Sequence, residues 1–231
     1  MKAVILCAGE GTRMRPLTFT IPKQLLKVGD KAVLEHIFHE LPDQIDEVIL
    51  VVKYLAGQIQ DYFGEEFLGK KIHYVTQVSK DYGTWIGLNE AKHLLGKEKF
   101  LVLLGDDILD KESIESCLEH DFSVLVKEVE DPRRFGVVLA NEHGKILDFI
   151  EKPEEQISNL ANTGVQVLDY RIFNYPARQH KNGEYYLTDS VARLAKDHDV
   201  FIKLAKSWIS MATPEDLESI NADFKAISSE K

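Results

Sequence analysis

Cysteine is nearly absent: Cys7 and Cys117 are the two in the 231-residue chain, too few for a disulfide framework or a Cys-rich zinc site. Both stand in apolar surroundings, which fits buried thiols in a reducing, intracellular compartment. Nor is there an apolar run near the roughly 20 residues of a membrane span. The first such run, residues 3–6, is far shorter than a signal-peptide core and soon meets Gly9, Glu10 and Arg13, so a cytoplasmic protein without a membrane partner is expected. Positive charge is also short. Against 38 Asp+Glu there are 28 Lys+Arg, a formal net charge of −10, and no basic field is left to hold nucleic acid or anionic lipid. A phosphate-bearing ligand therefore has to be held locally. Internal repeats, low-complexity tracts and Ser/Pro/Gly-rich linkers are missing as well, which argues for one domain over 1–231 rather than two independent ones.

What is present is a balanced composition, 44% hydrophobic and 29% charged, of the kind found in folded, enzyme-sized units. Apolar, β-branched runs at 3–6, 48–52, 72–75, 100–104 and 122–126 alternate with helix-period segments at 33–41, 57–63, 84–95 and 111–118. Such βαβα alternation gives an α/β fold, a Rossmann-like and mostly parallel sheet with helices on both faces, over a core of about 1–127. From about 128 to 186 the texture changes to short strand-like runs at 135–140, 145–150 and 163–168, split by turn residues at 141–144 and 153–159. This predicts an inserted, partly antiparallel lobe. Terminal core elements return over about 187–231, with a helix at 188–196, a strand at 200–205 and a last helix. Thr213, Pro214 and Asp216 mark the start of that helix, and Leu217, Ile220, Phe224 and Ile227 form its apolar face.

The first strand leads into Ala8-Gly9-Glu10-Gly11-Thr12-Arg13-Met14-Arg15-Pro16-Leu17-Thr18, and Lys23 follows Ile21-Pro22. Glycines let backbone N–H groups approach phosphate oxygens, and Arg13 and Lys23 can neutralise them. Read alone, the segment is either a phosphate cradle or an ordinary strand-to-helix turn with solvated basic residues. It is not a Walker A loop, which needs Gly-Lys-Ser/Thr, and it lacks the third glycine of the dinucleotide fingerprint. Asp106 follows an apolar strand and Gly105, so its carboxylate falls at the C-terminal sheet edge where α/β proteins bind ligands. There it suits Mg²⁺ shared with nucleotide phosphates or, equally, a turn or helix cap. Asp107 is a second candidate for the same ion. Taken singly, Lys152 reads as a solvated surface charge and Gln77 as an exposed loop amide.

The eleven-residue loop and the Pro22-Lys23 after it resemble the signature of the sugar-1-phosphate nucleotidyltransferases, the NDP-sugar pyrophosphorylases of nucleotide-diphospho-sugar transferase (GT-A-like) fold. The resemblance extends over nearly the whole chain. It runs through Gln77 ahead of Gly83-Thr84, Leu103-Leu104-Gly105-Asp106-Asp107, Arg134-Phe135-Gly136-Val137-Val138, Glu151-Lys152-Pro153, Asn162-Thr163-Gly164 and Glu184-Tyr185-Tyr186-Leu187-Thr188-Asp189. The Phe-Gly-Val-Val and Glu-Lys-Pro segments look most like the glucose-1-phosphate thymidylyltransferase and uridylyltransferase branches. No hexapeptide repeats follow, so no acetyltransferase half is expected. The resemblance implies a Mg²⁺-dependent enzyme that joins a nucleoside triphosphate, dTTP or UTP first, to a sugar-1-phosphate, glucose-1-phosphate first. Pyrophosphate leaves, and the product serves polysaccharide or cell-envelope synthesis. By the same resemblance Ala8, Gly9, Gly11, Thr12, Gln77, Gly83 and Thr84 bind the nucleotide, and Gly136, Glu151, Asn162, Gly164 and Glu184 the sugar. Asp106 holds the metal, and Arg13, Lys23 and Lys152 are the catalytic cations.

Where the family usually carries Trp-x-Asp-x-Gly-Thr-Pro, with the second protein ligand of the metal, this chain reads Trp208-Ile209-Ser210-Met211-Ala212-Thr213-Pro214. A hydroxyl in place of a carboxylate removes one negative charge and weakens the hold on Mg²⁺. Trp85 follows Gly83-Thr84 where a small residue is common, and the Gln77-to-Gly83 spacing is one residue longer than usual; both predict a reshaped nucleotide pocket. A second reading is therefore open, a nucleotide-sugar binding or regulatory module with weakened catalysis. A third keeps the chemistry and changes the acceptor to a mannose, heptose or amino-sugar phosphate. The sequence leaves a homo-oligomer open.

Overall fold

The computed structural model describes residues 1–229, with side chains to residue 224. In chain order the strands are β1 (Lys2–Cys7), β2 (Lys27–Val28), β3 (Lys31–Ala32), β4 (Glu47–Val52), β5 (Glu66–Phe67), β6 (Lys70–Thr76), β7 (Phe100–Leu104), β8 (Asp107–Leu109), β9 (Ser123–Glu128), β10 (Gly136–Ala140), β11 (Ile146–Glu151), β12 (Leu160–Leu168), β13 (Phe201–Leu204) and β14 (Trp208–Ser210). The α-helices are α1 (Val33–Glu40), α2 (Ala56–Phe63), α3 (Thr84–Glu90), α4 (Lys111–Cys117), α5 (Leu187–Leu194) and α6 (Pro214–Ser229).

The apolar runs behave as central strands because they are covered on both sides. Along β1, Ala3, Ile5 and Cys7 join one core while Val4 joins the other. The same alternation sends Val48, Leu50 and Val52 of β4 one way and Ile49 and Val51 the other. Residues of α1, α2, α4 and α6 pack into the first core, and Trp85 and Leu88 of α3 with Leu187, Val191 and Leu194 of α5 fill the second. The segment expected as one helix over 84–95 is α3 followed by a 3₁₀ turn at Ala91–Leu94.

Strands β7, β1, β4 and β6 lie side by side and parallel. The direction changes at β12, which is antiparallel to β7, with Gln166 opposite Val102, and antiparallel to β9. Through Ala161 it also pairs with β10, which carries β11. The inserted region is thus partly antiparallel, but it continues the ten-stranded sheet instead of forming a layer of its own. The reason is the length of β12: nine residues let one end pair with the core and the other with the insertion.

Two features complete the frame. β14 pairs antiparallel with β8, placing Ser210 opposite Asp107. The start of α6 is closed as a capping box: the Ala212 and Thr213 N–H groups donate to Asp216 Oδ2, both at 2.8 Å, and the Asp216 N–H donates to Thr213 Oγ1 at 3.3 Å. Leu217, Ile220 and Phe224 dock on the first core, and the side chain of Ile227 lies outside the described residues. Among the described residues, no helix is long and apolar enough to cross a membrane.

Candidate active site

The site forms where the parallel strands end. The Gly105 N–H donates to the Leu6 carbonyl at 3.0 Å, which sets the turn after β7 beside the glycine loop after β1. Inside that loop the Thr18 hydroxyl donates to the Gly11 carbonyl at 2.8 Å and folds it back on itself. Lys23 is then carried inward, 6% exposed, and its Nζ donates to Asp106 Oδ2 at 2.5 Å. An ammonium held this deeply needs its carboxylate neighbour, because burial of an unpaired charge is far costlier than burial of a pair. Arg13 is exposed, and among the described residues its guanidinium makes no hydrogen bond or ion pair.

Two cavities open at this edge. The larger, about 620 Å³, is lined by Ala8, Gly9, Gly11 and Thr12 of the loop, by Gln77, Gly83 and Thr84, and by Glu184. The smaller, about 260 Å³, takes Gly136, Glu151, Asn162 and Gly164. Arg13, Lys23, Thr84 and Asp106 belong to both walls. The residues assigned to nucleotide thus fall together in one cavity, and those assigned to sugar fall in the other except Glu184, which lines the larger. Lys152 is on neither wall. Its Nζ donates to the Tyr186 hydroxyl at 2.9 Å and lies 4.8 Å from the centre of the same ring.

The larger cavity is closed by a pairing that the sequence motifs do not announce. Backbone N–H of Tyr185 donates to the Tyr82 carbonyl at 2.9 Å, and that of Trp85 donates to the Tyr185 carbonyl at 3.0 Å. Gly83 sits between them at φ +124°, where a Cβ would come within 2.3 Å of the Tyr185 carbonyl oxygen; no other residue fits. The Leu187 N–H donates to Thr84 Oγ1 at 2.8 Å. Trp85 does not narrow the larger cavity. Its indole is buried in the core beneath, with its ring 5.9 Å from that of Phe173, because an apolar ring at the first turn of α3 gains more from the core than from the opening.

In the smaller cavity the Thr188 hydroxyl donates to Glu151 Oε2 at 3.0 Å. Burial pushes the Glu151 carboxyl above its ordinary range, with the Lys152 charge and the Thr188 hydroxyl pulling the other way. Burial alone would lower the Lys152 ammonium, yet the Tyr186 hydroxyl and the charges of Glu151 and Glu184 raise it. Asp107 is driven up by burial and by the charge of Asp106 beside it, against the Ser210 hydroxyl. It lines the smaller cavity together with Ser210. Sequence reasoning also passed over Tyr82, Tyr186, Thr188 and Gln166 as lining residues. Tyr186 and Thr188 lie within the Glu184–Asp189 motif, and Gln166 breaks an apolar strand, so a signal for each was there.

A family model described as nucleotidyl transferase matches residues 2–226. The chain belongs to that family. Over 97% of its length it is 37% identical to the bifunctional protein GlmU of Methanocaldococcus jannaschii, 56% of which is matched, so the chain spans little more than half the length of that relative. It is 33% identical over 206 residues to the UTP–glucose-1-phosphate uridylyltransferase AglF of Haloferax volcanii, covering 85% of this chain and 84% of AglF. The solved structure of an apo UDP-glucose pyrophosphorylase superposes with a TM-score of 0.87 at 25% identity, covering 97% of this chain and 98% of the other. The mixed sheet, mostly parallel at its centre and antiparallel toward one end, is thus a nucleotidyl transferase architecture.

Proposed function

We propose that the chain transfers a nucleotidyl group from a nucleoside triphosphate to a sugar-1-phosphate, giving an NDP-sugar and pyrophosphate, with dTTP or UTP and glucose-1-phosphate as the favoured pair. The reading is carried by the junction of the two cavities at Arg13, Lys23 and Asp106. A base and ribose in the larger cavity and a sugar in the smaller bring the α-phosphorus and the attacking phosphate oxygen to that junction. A bond forms from the sugar-phosphate oxygen to the α-phosphorus, the α–β phosphoanhydride breaks in line, and pyrophosphate departs. Such a step needs no protein nucleophile; it needs alignment and fixed positive charge.

Lys23, anchored by Asp106, serves the reacting phosphates, and Arg13, with no protein partner among the described residues, serves the triphosphate. Lys152 lines neither cavity but donates to the hydroxyl of Tyr186 on the wall of the smaller, and the motif alone assigns it to the phosphate of the sugar. Asp106 has a side chain 31% exposed and lines both cavities, and a single hard carboxylate completed by water and substrate phosphates fits Mg²⁺. The ion, when bound, would neutralise phosphate charge. The test is pyrophosphate release across a matrix of nucleoside triphosphates and sugar-1-phosphates with Mg²⁺, against a heat-killed control. One pairing is expected to give turnover. Silence in every cell with nucleotide still bound favours the second reading, a weakened binding or regulatory module, which Ser210 motivates.

Position 210 has its own test. Ser210→Asp sets a third carboxylate against Asp107 and Asp106. Without Mg²⁺ the variant is expected to melt about 2–4 °C below the parent, about 1 kcal/mol for a chain of this size, and Mg²⁺ is expected to raise its Tm more than the parent's. Equal Mg²⁺ shifts in the two proteins would show that residue 210 does not face the ion.

A further inference from the structure

Strand β12 runs inside the sheet, with Val165 and Val167 in one core and Leu168 in the other. Position 166 is flanked in the ladder by Val102 of β7 and Val124 of β9, an environment in which an apolar, β-branched residue is the ordinary occupant. Glutamine stands there instead. It is 2% exposed, and its Oε1 is buried with no hydrogen-bond partner. The residue lines the smaller cavity beside Asn162 and Gly164 of the same strand, among apolar Leu6, Val102 and Leu104.

A buried acceptor left without a donor costs about 1–3 kcal/mol, and such groups are few enough in folded proteins that each calls for a reason. Oε1 is sealed off even from water, so the amide atom that this wall leaves to a ligand is Nε2, which among the described residues is neither hydrogen-bonded nor sealed. We infer that Gln166 is a specificity-determining residue: its amide N–H reads a hydrogen-bond acceptor on the sugar ring, away from the anomeric phosphate, and thereby selects the sugar-1-phosphate. The inference rests on the nucleotidyl-transfer reading. The acceptor is a ring hydroxyl oxygen or an acylamino carbonyl, to either of which an amide N–H donates.

The experiment compares the parent with Gln166→Leu, which keeps the bulk and removes the amide. Pyrophosphate release is measured with the preferred sugar-1-phosphate, its 2-, 4- and 6-deoxy forms, and the corresponding N-acetylamino sugar phosphate. For the preferred sugar, kcat/KM is expected to fall about 10–100-fold, whereas one analogue lacking the acceptor is used equally by both proteins. The analogue on which the two converge names the acceptor, hydroxyl or acylamino. KM for the nucleotide stays within about twofold, since the larger cavity is untouched. Tm is unchanged or higher, because an unpaired buried amide gives way to an apolar side chain. A lower Tm with sugar preference intact would make Gln166 a structural residue and overturn the inference, as would an equal loss on every sugar. A parent that releases no pyrophosphate with any sugar-1-phosphate overturns the transfer reading itself, a failure distinct from that of Gln166.

Discussion

Lys23→Met is expected to lower kcat for pyrophosphate release by about 10²–10³-fold, the scale on which a fixed donor at a site of developing charge is worth most. The residue is suited to this because its ammonium has almost no freedom. It is 6% exposed, tied to Asp106, and on the wall of both cavities. KM for the nucleotide changes less than kcat, since the glycine loop and Arg13 remain. Asp106 loses its partner in the variant, but its side chain is 31% exposed, so water takes over and the fold loses little. Lys23→Arg restores the charge without restoring the rate, because a planar fork does not occupy the place of a compact ammonium. Steady-state kinetics with a melting curve for each variant decide the matter. An unchanged kcat in Lys23→Met would remove the residue from the reacting phosphates.

Gly83→Ala is expected to cost the most stability for the smallest change. The added methyl meets the Tyr185 carbonyl oxygen at 2.3 Å and its nitrogen at 2.6 Å, at a φ of +124° that side chains resist. Backbone strain of about 1–3 kcal/mol and overpacking of about 1–3 kcal/mol add to about 2–6 kcal/mol, a Tm lower by about 4–24 °C. The damage is not confined to one cavity. Prying residue 83 from Tyr185 also shifts Tyr186 and Leu187, which line the smaller cavity, so nucleotide affinity and sugar-phosphate KM worsen together. Gly9→Ala is the control: nothing lies within 4 Å of a Cβ there, and Tm is expected to hold to within about 1 °C. A Gly83→Ala protein that melts with the parent would disprove the close apposition.

The parallel core was legible because continuous apolar runs such as residues 100–104 can be satisfied only by cover on both faces, and because their spacing leaves room for crossover helices. The glycine loop with Lys23, and Asp106 after β7, were legible because strand ends and turns carry their chemistry in consecutive residues. What escaped is non-local. Three-residue strands are too short to show a period, so nothing in residues 107–109 and 208–210 declares that Ser210 stands opposite Asp107. The Tyr82–Tyr185 pairing joins segments whose only common mark is a glycine. The side of the site on which Glu184 falls depends on that pairing, so it could not be read from the motif around it. Gln166 was visible as an amide in an apolar strand, but its meaning required knowing that a cavity lies against it.

The shared strand β12 has a mechanical consequence. Its ladder to β7 ties Gln166, Val167 and Leu168 to Val102, Leu101 and Phe100, and β1 on the far side of β7 delivers the glycine loop. The spacing from the glycine loop on the larger cavity to Gln166 on the wall of the smaller is therefore measured in strand widths, about 4.8 Å each, and is as rigid as the hydrogen bonds between them. For the proposed transfer the sheet then acts as a ruler: a donor and an acceptor whose combined length matches that interval are expected to meet in line, and a pair that is too short or too long is not.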